Sequence, residues 1–170
     1  MPRTMRSCLR TLAFLVVLGL PLSILGARAQ EAEPLIGTWT TNIAKSELTG
    51  AAFKSQVRTF DYSNDGLILC TLSTVGANGD TTFFHWFTRL DGQQMPEFSR
   101  SNRREHLNSI TLKKVDDRTY EIAGKTLATG KQHLSGTATI SADGKTMTWR
   151  TTNLDAQNRE NTQLRFLEKQ

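Results

Sequence analysis

The sequence predicts an all-β protein that folds as a single antiparallel up-and-down β-barrel of about eight to ten strands. Short alternations of apolar and polar residues recur along residues 36–168, and tight-turn sequences separate them. The strongest turn signals are Asn64-Asp65-Gly66, Asn78-Gly79, Asp91-Gly92 and Asp143-Gly144. Asn, Asp and Gly tolerate the positive φ that tight hairpins need. Because most connections are short, an up-and-down meander is favoured over crossed connections.

The barrel is expected to begin after a leader. Residues 1–29 combine three basic residues near the start, an apolar run over 12–20 and the small-residue pattern Ala27-Arg28-Ala29. This organisation is typical of a cleavable signal peptide, with cleavage before Gln30. An uncleaved membrane anchor is the alternative, but Pro21 interrupts a run that is short for a bilayer span. We therefore expect export to the periplasm or the exterior, one domain over 30–170, and no membrane span in the mature chain.

Removal of the leader changes the charge balance. The chain has 21 Lys and Arg against 16 Asp and Glu, but four of the arginines and none of the acids precede Gln30. The remainder carries about one net positive charge, so the main reason to expect a nucleic-acid partner disappears. Cys8 leaves with the leader, and Cys70 stays as an unpaired thiol among apolar neighbours, which indicates a buried strand residue.

The first four predicted strands follow the turn signals. Strand 36–41 opens the barrel, and strands 55–62 and 67–75 flank the Asn64-Asp65-Gly66 turn. Strand 81–90 follows Asn78-Gly79. Segment 44–53 lacks alternation, which predicts one helical turn or a lid.

Five further strands complete the prediction. In the middle ones, apolar residues alternate with Thr or charged residues, as in the pairs Ile110 and Leu112 or Met147 and Trp149. Such a period of two indicates a half-buried strand. The polar segment 95–108 contains Pro96 and predicts a long loop. The five strands are 109–115, 119–123, 133–140, 145–152 and 162–168.

An aromatic run, Phe83-Phe84-His85-Trp86-Phe87, is the most unusual local feature. Phe84 and Trp86 share one strand face, and Phe83, His85 and Phe87 share the other. Packing of the second face against segment 95–108 or 44–53 is the favoured interpretation. A docking surface or a pocket rim is the alternative.

Gly37-Thr38-Trp39 resembles the G-x-W signature of the lipocalin and fatty-acid-binding-protein superfamily, the calycins. That resemblance implies a barrel in which Trp39 plugs the closed end, with an arginine of the last strand over its indole. The final strand, which looks like the closing strand of fatty-acid-binding proteins, offers Arg165 for this role. Gly37, Trp39 and Arg165 are thus the expected structural plug, and the contact would be a cation–π interaction.

The chain also resembles a group of small secreted bacterial proteins of unknown function, often described as lipocalin-like. They open with G-T-W-x-x-N-x-A-K-S, which residues 37–46 match, and carry an Asp-Gly-Lys-Thr-Met-Thr hairpin, which residues 143–148 match. This resemblance covers nearly the whole mature chain and implies no activity.

Sequence patterns that carry reaction chemistry were not found. His85, His106 and His133 are dispersed, without the spacing of metal ligands, and neither a G-x-S-x-G motif nor a local Cys-His pair occurs. We therefore predict no catalytic residues, no metal and no cofactor.

The favoured function is non-catalytic binding of a small hydrophobic or amphipathic molecule in the barrel interior. The candidate ligand-binding residues are Phe84, Trp86, Met147, Trp149, Arg100 and Arg103. The two arginines belong to the predicted loop, which forms either an anion-binding mouth or an ordinary solvated loop. A barrel filled by side chains, acting as a structural or interaction module of the envelope, is the alternative, and an enzyme with its site at the barrel mouth ranks last. The sequence leaves open the ligand, the oligomeric state and whether the barrel is hollow.

Overall fold

The structure is a computed structural model that describes residues 32–50, 52–63, 66–99, 108–154 and 157–170. It contains ten β-strands within these ranges. They are β1 (Gly37–Thr41), β2 (Phe53–Tyr62), β3 (Ile68–Gly76), β4 (Thr81–Thr88), β5 (Met95–Ser99), β6 (Asn108–Lys114), β7 (Thr119–Thr126), β8 (Gln132–Ile140), β9 (Thr146–Leu154) and β10 (Glu160–Lys169).

The strands form one closed antiparallel barrel in which each strand pairs with its sequence neighbours. Closure comes from β1, which pairs with β2 on one side and with β10 on the other. Trp39 shows both pairings, because its register partners are Arg58 on β2 and Lys169 on β10. The predicted fold class, an all-β up-and-down barrel, is therefore confirmed. Closure also removes the free strand edges that promote aggregation of open sheets.

The predicted loop 95–108 begins with a strand instead. β5 pairs with β4 through three residues and with β6 through three, and Pro96 lies within it. A proline cannot donate to a ladder and is rarely found in a long central strand, which is why the sequence pattern predicts a loop here. The shortness of both ladders explains how the barrel accommodates it.

A short turn of 3-10 helix at Ile43–Lys45 overlaps the start of segment 44–53, for which one helical turn or a lid is expected. The Asn42 side chain caps it by accepting a hydrogen bond from the Lys45 amide at 3.1 Å. Beyond this turn, Glu47 bridges to Leu164, and β2 already begins at Phe53. No helix within the described ranges is long and apolar enough to cross a membrane.

One half of the barrel interior is filled by apolar side chains. We call the end that holds Trp39 the closed end; the β2–β3, β4–β5, β6–β7 and β8–β9 connections lie there, and the opposite end is the open end. Burial of each large side chain of this kind contributes about 1.5–3 kcal/mol relative to exposure. The closed-end core consists of Leu35, Trp39, Phe60, Ile68, Leu112, Tyr120, Ile140, Met147 and Leu167, all at most 3% exposed.

The segment before β1 seals the closed end. The Trp39 indole donates its Nε1 hydrogen to the Leu35 carbonyl oxygen at 2.9 Å. The Glu33 carboxylate accepts a hydrogen bond from the Tyr120 hydroxyl and pairs with the Lys114 ammonium at 2.9 Å. Trp39 Nε1 and the Tyr120 hydroxyl are therefore both partnered by the segment that precedes β1.

Candidate functional site

The interior changes character towards the open end. On β2, Gln56 and Arg58 are buried on the same face as Phe60, so polar and charged side chains enter the barrel above the apolar core. On the facing strands, Phe84, Leu134 and Arg165 occupy the same interior face but are only partly buried. The closed half is thus filled, whereas the open half is lined by side chains that keep some contact with solvent.

Arg165 is held in the open half by neutral acceptors. Its Nε donates to the Gln56 side-chain oxygen at 3.0 Å, its Nη1 to the Thr151 hydroxyl at 3.4 Å and its Nη2 to the Gln163 side-chain oxygen at 2.7 Å. Gln56 is fixed in turn, because its amide nitrogen donates to Thr74 at 3.1 Å. All three guanidinium nitrogens of Arg165 are therefore engaged. Burial lowers the pKa of Arg165.

Arg58 is a second buried cation, and it does not take part in the hydrogen bonds that hold Arg165. Its side chain is 5% exposed, and its guanidinium carbon lies 3.8 Å from the centroid of the Trp149 ring, a cation–π contact. Its Nε and Nη1 atoms are buried without a hydrogen-bond partner among the described residues. Buried donors normally have a hydrogen-bond acceptor, so two donors without one on a single side chain require an explanation.

The charge state of Arg58 follows from its surroundings. Burial, together with the nearby charge of Arg165, lowers the pKa of the Arg58 guanidinium to about 10, so it stays cationic at neutral pH. Cys70 lies close enough to interact with it, but burial raises the pKa of the Cys70 thiol far above neutrality. The thiol is therefore uncharged and supplies no counter-ion. Glu97, on β5, acts on the same thiol and raises its pKa further.

Neither Arg58 nor Arg165 forms an ion pair within the part of the chain that the structure describes. The two ion pairs found there join Lys45 to Glu168 and Lys114 to Glu33, both outside the open half. Two like charges share a largely apolar interior, and the desolvation of each costs several kcal/mol unless it is compensated. Glu97 also lies on the interior face, because its register partner is the buried Trp86, so the interior holds a carboxylate as well as the two cations.

Two more buried atoms lack a partner in the described residues: Trp86 Nε1 and His133 Nε2. Trp86 is 3% exposed and lies beside Cys70 in the β3–β4 ladder. An indole nitrogen only donates, as a guanidinium does. The unpartnered groups of Arg58 and Trp86 are thus hydrogen-bond donors in both cases.

The ligand-binding residues proposed from sequence fall into three groups. Phe84 lines the open half, and Trp86 and Trp149 lie deeper, at the level of Cys70 and Arg58. Met147 is fully buried in the closed-end core between its register partners Ile140 and Leu167, so it faces no open space. Arg100 and Arg103 lie outside the described residues, as does His106.

The structural plug contains a different cation from the one expected. Trp39 is fully buried at the closed end, as expected, but the ammonium over its ring is that of Lys169, 5.0 Å from the ring centroid. Arg165 lies four residues earlier on β10, opposite Trp149, and its hydrogen bonds hold it in the open half. Gly37 contributes space, because a Cβ atom there would lie 2.7 Å from Cε of Lys169.

Sequence reasoning missed Arg58 and Gln56. Residues 55–60 read Ser-Gln-Val-Arg-Thr-Phe, so the apolar Val57 opposes two polar residues, and the alternation does not show which face is interior. The position of Phe60 on the same face as Arg58 is the signal that was available. A charged residue two positions from a core aromatic on one strand face marks a candidate interior charge.

The second face of the aromatic run lies outside the barrel. His85 stacks on Phe98 of β5, with ring centroids 5.2 Å apart, so part of this face packs against segment 95–108 as favoured from sequence. Phe83 and Phe98 nevertheless stay 46% and 47% exposed. They form an outer aromatic surface, which we define by Phe83, His85 and Phe98.

Described residues line two hollows on the outer side of the barrel wall. One, of about 860 Å³, is lined at the closed end by turn residues such as Asp116 and Ser141. The other, of about 430 Å³, lies over the outer faces of β6, β7 and β8. Neither is lined by a buried group without a partner, so we place the candidate site in the interior around Arg58.

The closed ten-stranded meander, with Trp39 buried at one end, has the antiparallel up-and-down barrel architecture that the sequence predicted. Searches with the sequence match no family model and no curated protein. Two solved structures are similar in shape. EF1p2_mFAP2b, solved bound to DFHBI, is 9% identical with a TM-score of 0.45, over 81% of this chain and 94% of that one. The siderocalin Ex-FABP, described as having dual ligand specificities, is 7% identical with a TM-score of 0.38, over 81% and 74%.

Proposed function

We propose that the protein is an exported, non-catalytic binding protein that holds a small, partly hydrophobic molecule in the open half of the barrel. The observation that carries this proposal is Arg58, a buried cation on the face of Trp149 with two nitrogens that lack a partner among the described residues. Export rests on the leader-like residues 1–29, with the mature protein in the periplasm or the exterior. No step of bond chemistry is part of this function.

The architecture of the open half supports binding in two ways. Its walls combine apolar side chains such as Phe84 and Leu134 with a few polar groups, which is the composition of a typical small-molecule site. The filled closed half below it forms a rigid floor at Trp149 and Phe60, whose rings stack 6.1 Å apart. A site with a fixed floor orders few side chains on binding, which lowers the entropic cost of association.

Native mass spectrometry of the protein purified from its own cell envelope tests the proposal. We expect a bound species that dissociates on collisional activation, and a thermal shift when the stripped protein is returned to it. A protein that is free of adducts and shows no thermal shift across a lipid and metabolite panel would contradict the proposal.

A fluorescence assay with 1-anilinonaphthalene-8-sulfonate locates the binding. Leu134→Trp enlarges a side chain of the open half, so we expect the probe to bind at least 10-fold more weakly. Thr137→Trp is the matched control, because Thr137 is exposed on the outer face of the same strand. If both variants lose the same amount of probe affinity, or if neither loses any, the probe binds outside the barrel.

A second function, that of an interaction module of the envelope, is supported by the outer aromatic surface. Exposed Phe83 and Phe98 lie together beside His85, and exposed aromatics are enriched at protein interfaces. A photocrosslinking residue at Phe83 should then join one defined protein in cells, whereas the same residue at Thr137 should not. Identical crosslinks from the two positions would reject the interaction module.

A further inference from the structure

We propose that a second copy of this chain docks on the outer wall of the barrel formed by β3, β4 and β5, so that the protein associates reversibly into a symmetric dimer. This inference does not depend on a ligand in the interior, and it assigns a partner to the outer aromatic surface. The outward-facing residues of the three strands, which we call the uncharged wall, are Leu69, Thr71, Ser73, Val75, Thr81, Phe83, His85, Phe87, Pro96 and Phe98.

The direction of these side chains follows from the strand register. Cys70 and Trp86 are register partners and both belong to the buried core, so they mark the inward face of β3 and β4. Glu97 of β5 is the other register partner of Trp86, so it lies on the same inward face. Side chains alternate between the two faces of a strand. The neighbours of these three residues, and every second residue from there, therefore point outwards.

The uncharged wall differs from the other side of the barrel in its charge. None of the outward residues of β3, β4 and β5 in the described part of the chain is Asp, Glu, Lys or Arg. The outward positions of β6, β7 and β9, in contrast, include Lys113, Glu121 and Arg150. Charged residues also lie beyond the ends of β4, where Asp80 and Arg89 are exposed. An uncharged centre with a polar rim is the distribution found in protein interfaces.

The centre of the uncharged wall is aromatic. Phe83 and Phe87 lie two residues to either side of His85 on β4, and His85 stacks on Phe98 of β5. Phe83 and Phe98 are 46% and 47% exposed, so about half of each ring surface faces water. Removal of such apolar surface from water drives protein association. The outer aromatic surface therefore has the composition of an interface centre.

The absence of charge decides which partner fits. A charged partner surface would lose the hydration of its ions against the uncharged wall and would find no counter-ion there, which costs free energy. The partner surface must therefore be uncharged as well, and the uncharged wall of a second copy meets this requirement. A two-fold axis brings the same patch of two subunits together, and it is the commonest symmetry of soluble oligomers.

The size of the uncharged wall predicts a weak dimer. β4 is eight residues long, which at about 3.3 Å per residue corresponds to a length of roughly 26 Å. Three strands spaced about 4.8 Å apart give a width of roughly 14 Å, so each copy contributes a flat area of about 400 Å². Stable complexes bury about 800 Å² on each partner, and smaller interfaces are transient. We therefore expect a dimer that dissociates on dilution.

Sedimentation velocity of the mature protein over about a 100-fold range of concentration tests the dimer. We expect the sedimenting mass to rise from that of one chain to that of two as the concentration increases. Phe83→Glu places a charge at the centre of the uncharged wall. It should weaken association by about 10-fold or more, because a dimer would have to desolvate that charge without a counter-ion.

Val115→Glu is the matched control, since Val115 is an apolar residue that is 52% exposed and lies outside the uncharged wall. It should leave association unchanged. Phe98→Glu is a second variant and should act as Phe83→Glu does. The melting temperature from circular dichroism shows that each variant is folded, and Phe98→Glu replaces Phe83→Glu if the latter does not fold.

Photocrosslinking identifies the molecule that touches the uncharged wall. The photocrosslinking residue is placed at Phe83, and ¹⁵N-labelled chains are mixed with unlabelled ones. A crosslinked product of two chains that carries mixed label consists of two copies of this protein. We expect this product from Phe83 but not from the same residue placed at Val115.

Other outcomes overturn the inference. A single-chain mass at every concentration excludes the dimer, and an equal effect of Phe83→Glu and Val115→Glu places the contact on another surface. Crosslinking from Phe83 to a different protein assigns the uncharged wall to that protein. Sedimentation with phosphatidylcholine vesicles that is lost in Phe83→Glu assigns it to a membrane surface. Binding in the barrel interior is tested separately by native mass spectrometry, so it stands or falls independently of these results.

Discussion

The closed and open halves of this barrel are built from the same strands but differ in how they treat buried polar groups. In the closed half, Trp39 Nε1 donates to the Leu35 carbonyl oxygen and the Tyr120 hydroxyl donates to Glu33. Between the two halves, Arg58 and Trp86 keep buried donors without a partner in the described residues. The first arrangement favours a stable fold, and the second leaves hydrogen-bonding capacity for another molecule.

Single strands contribute to both halves, which shows how closely the two are connected. On β2, Phe60 packs in the closed-end core while Gln56, four residues away, accepts a hydrogen bond from Arg165 in the open half. On β10, Leu167 and Arg165 divide in the same way. The closed half therefore fixes the backbone that positions the charges, so its substitutions should lower stability and those of the open half should mainly alter binding.

The largest expected effect on stability is in the closed half. Trp39→Ala should lower the free energy of unfolding by about 3–5 kcal/mol, because it leaves a cavity in a filled core and frees the Leu35 carbonyl. Urea denaturation measures the loss, with Phe98→Ala, a half-exposed site, as the control. A loss below about 1 kcal/mol would mean that the Trp39 plug is not what stabilises the barrel.

A smaller loss of stability is expected when the hydrogen bond between Tyr120 and Glu33 at the closed end is removed. Tyr120→Phe removes the hydroxyl that donates to Glu33, and a partly buried carboxylate then loses one donor. We expect a loss of about 1–3 kcal/mol, measured by the same denaturation. In Glu33→Gln the same Tyr120→Phe change should cost less, and an unchanged cost would show that the two groups are not coupled.

The substitution Arg58→Met should change the free energy of unfolding in the opposite direction. Arg58→Met replaces a buried, unpartnered cation by an apolar side chain of similar length, which is often neutral or stabilising. We expect a change between zero and a gain of about 2 kcal/mol. Differential scanning calorimetry of the ligand-free protein measures it. A large loss of stability would assign Arg58 to the structural half and weaken the comparison.

The smallest effect concerns acid stability at the outer wall. Hydrogen bonds from Lys45 and Asn42 lower the pKa of Glu168 below its usual range in the folded state. This contribution is present above the ordinary carboxylate pKa and is lost as the pH falls through the folded value. The melting temperature of the unmutated protein should therefore fall more steeply below about pH 5 than that of Glu168→Gln. Parallel curves would show that this exposed pair contributes nothing.

Much of the fold could be predicted because strand alternation and turn chemistry are local properties. Pairs such as Met147 and Trp149 show the interior face directly, and Asp143-Gly144 marks a hairpin that the structure contains. The strand β5 was missed because Pro96 and its polar neighbours give no such pattern, and only its pairing with β4 and β6 makes it a strand.

The candidate site could be predicted only in part, because it depends on register across the barrel. Phe84, Trp86 and Trp149 follow from alternation, but the contact between Arg58 and Trp149 joins β2 to β9, which are far apart in sequence. Arg165 was placed on Trp39 by resemblance, whereas the register sets Lys169 there. Arg165 therefore lies four residues from the position expected for it and bonds to Gln56 instead of contacting Trp39.

The pairing of β1 with β10 also bears on how the molecule folds. Each of the other ladders joins strands adjacent in sequence, whereas this one joins the two ends of the barrel sequence. Contacts between distant residues form slowly because a long loop must first be closed. The free edges of β1 and β9 therefore stay open to wrong partners until β10 arrives. We expect barrel closure to be the slow step of folding, and the interval before it to be the time when the chain most needs a chaperone.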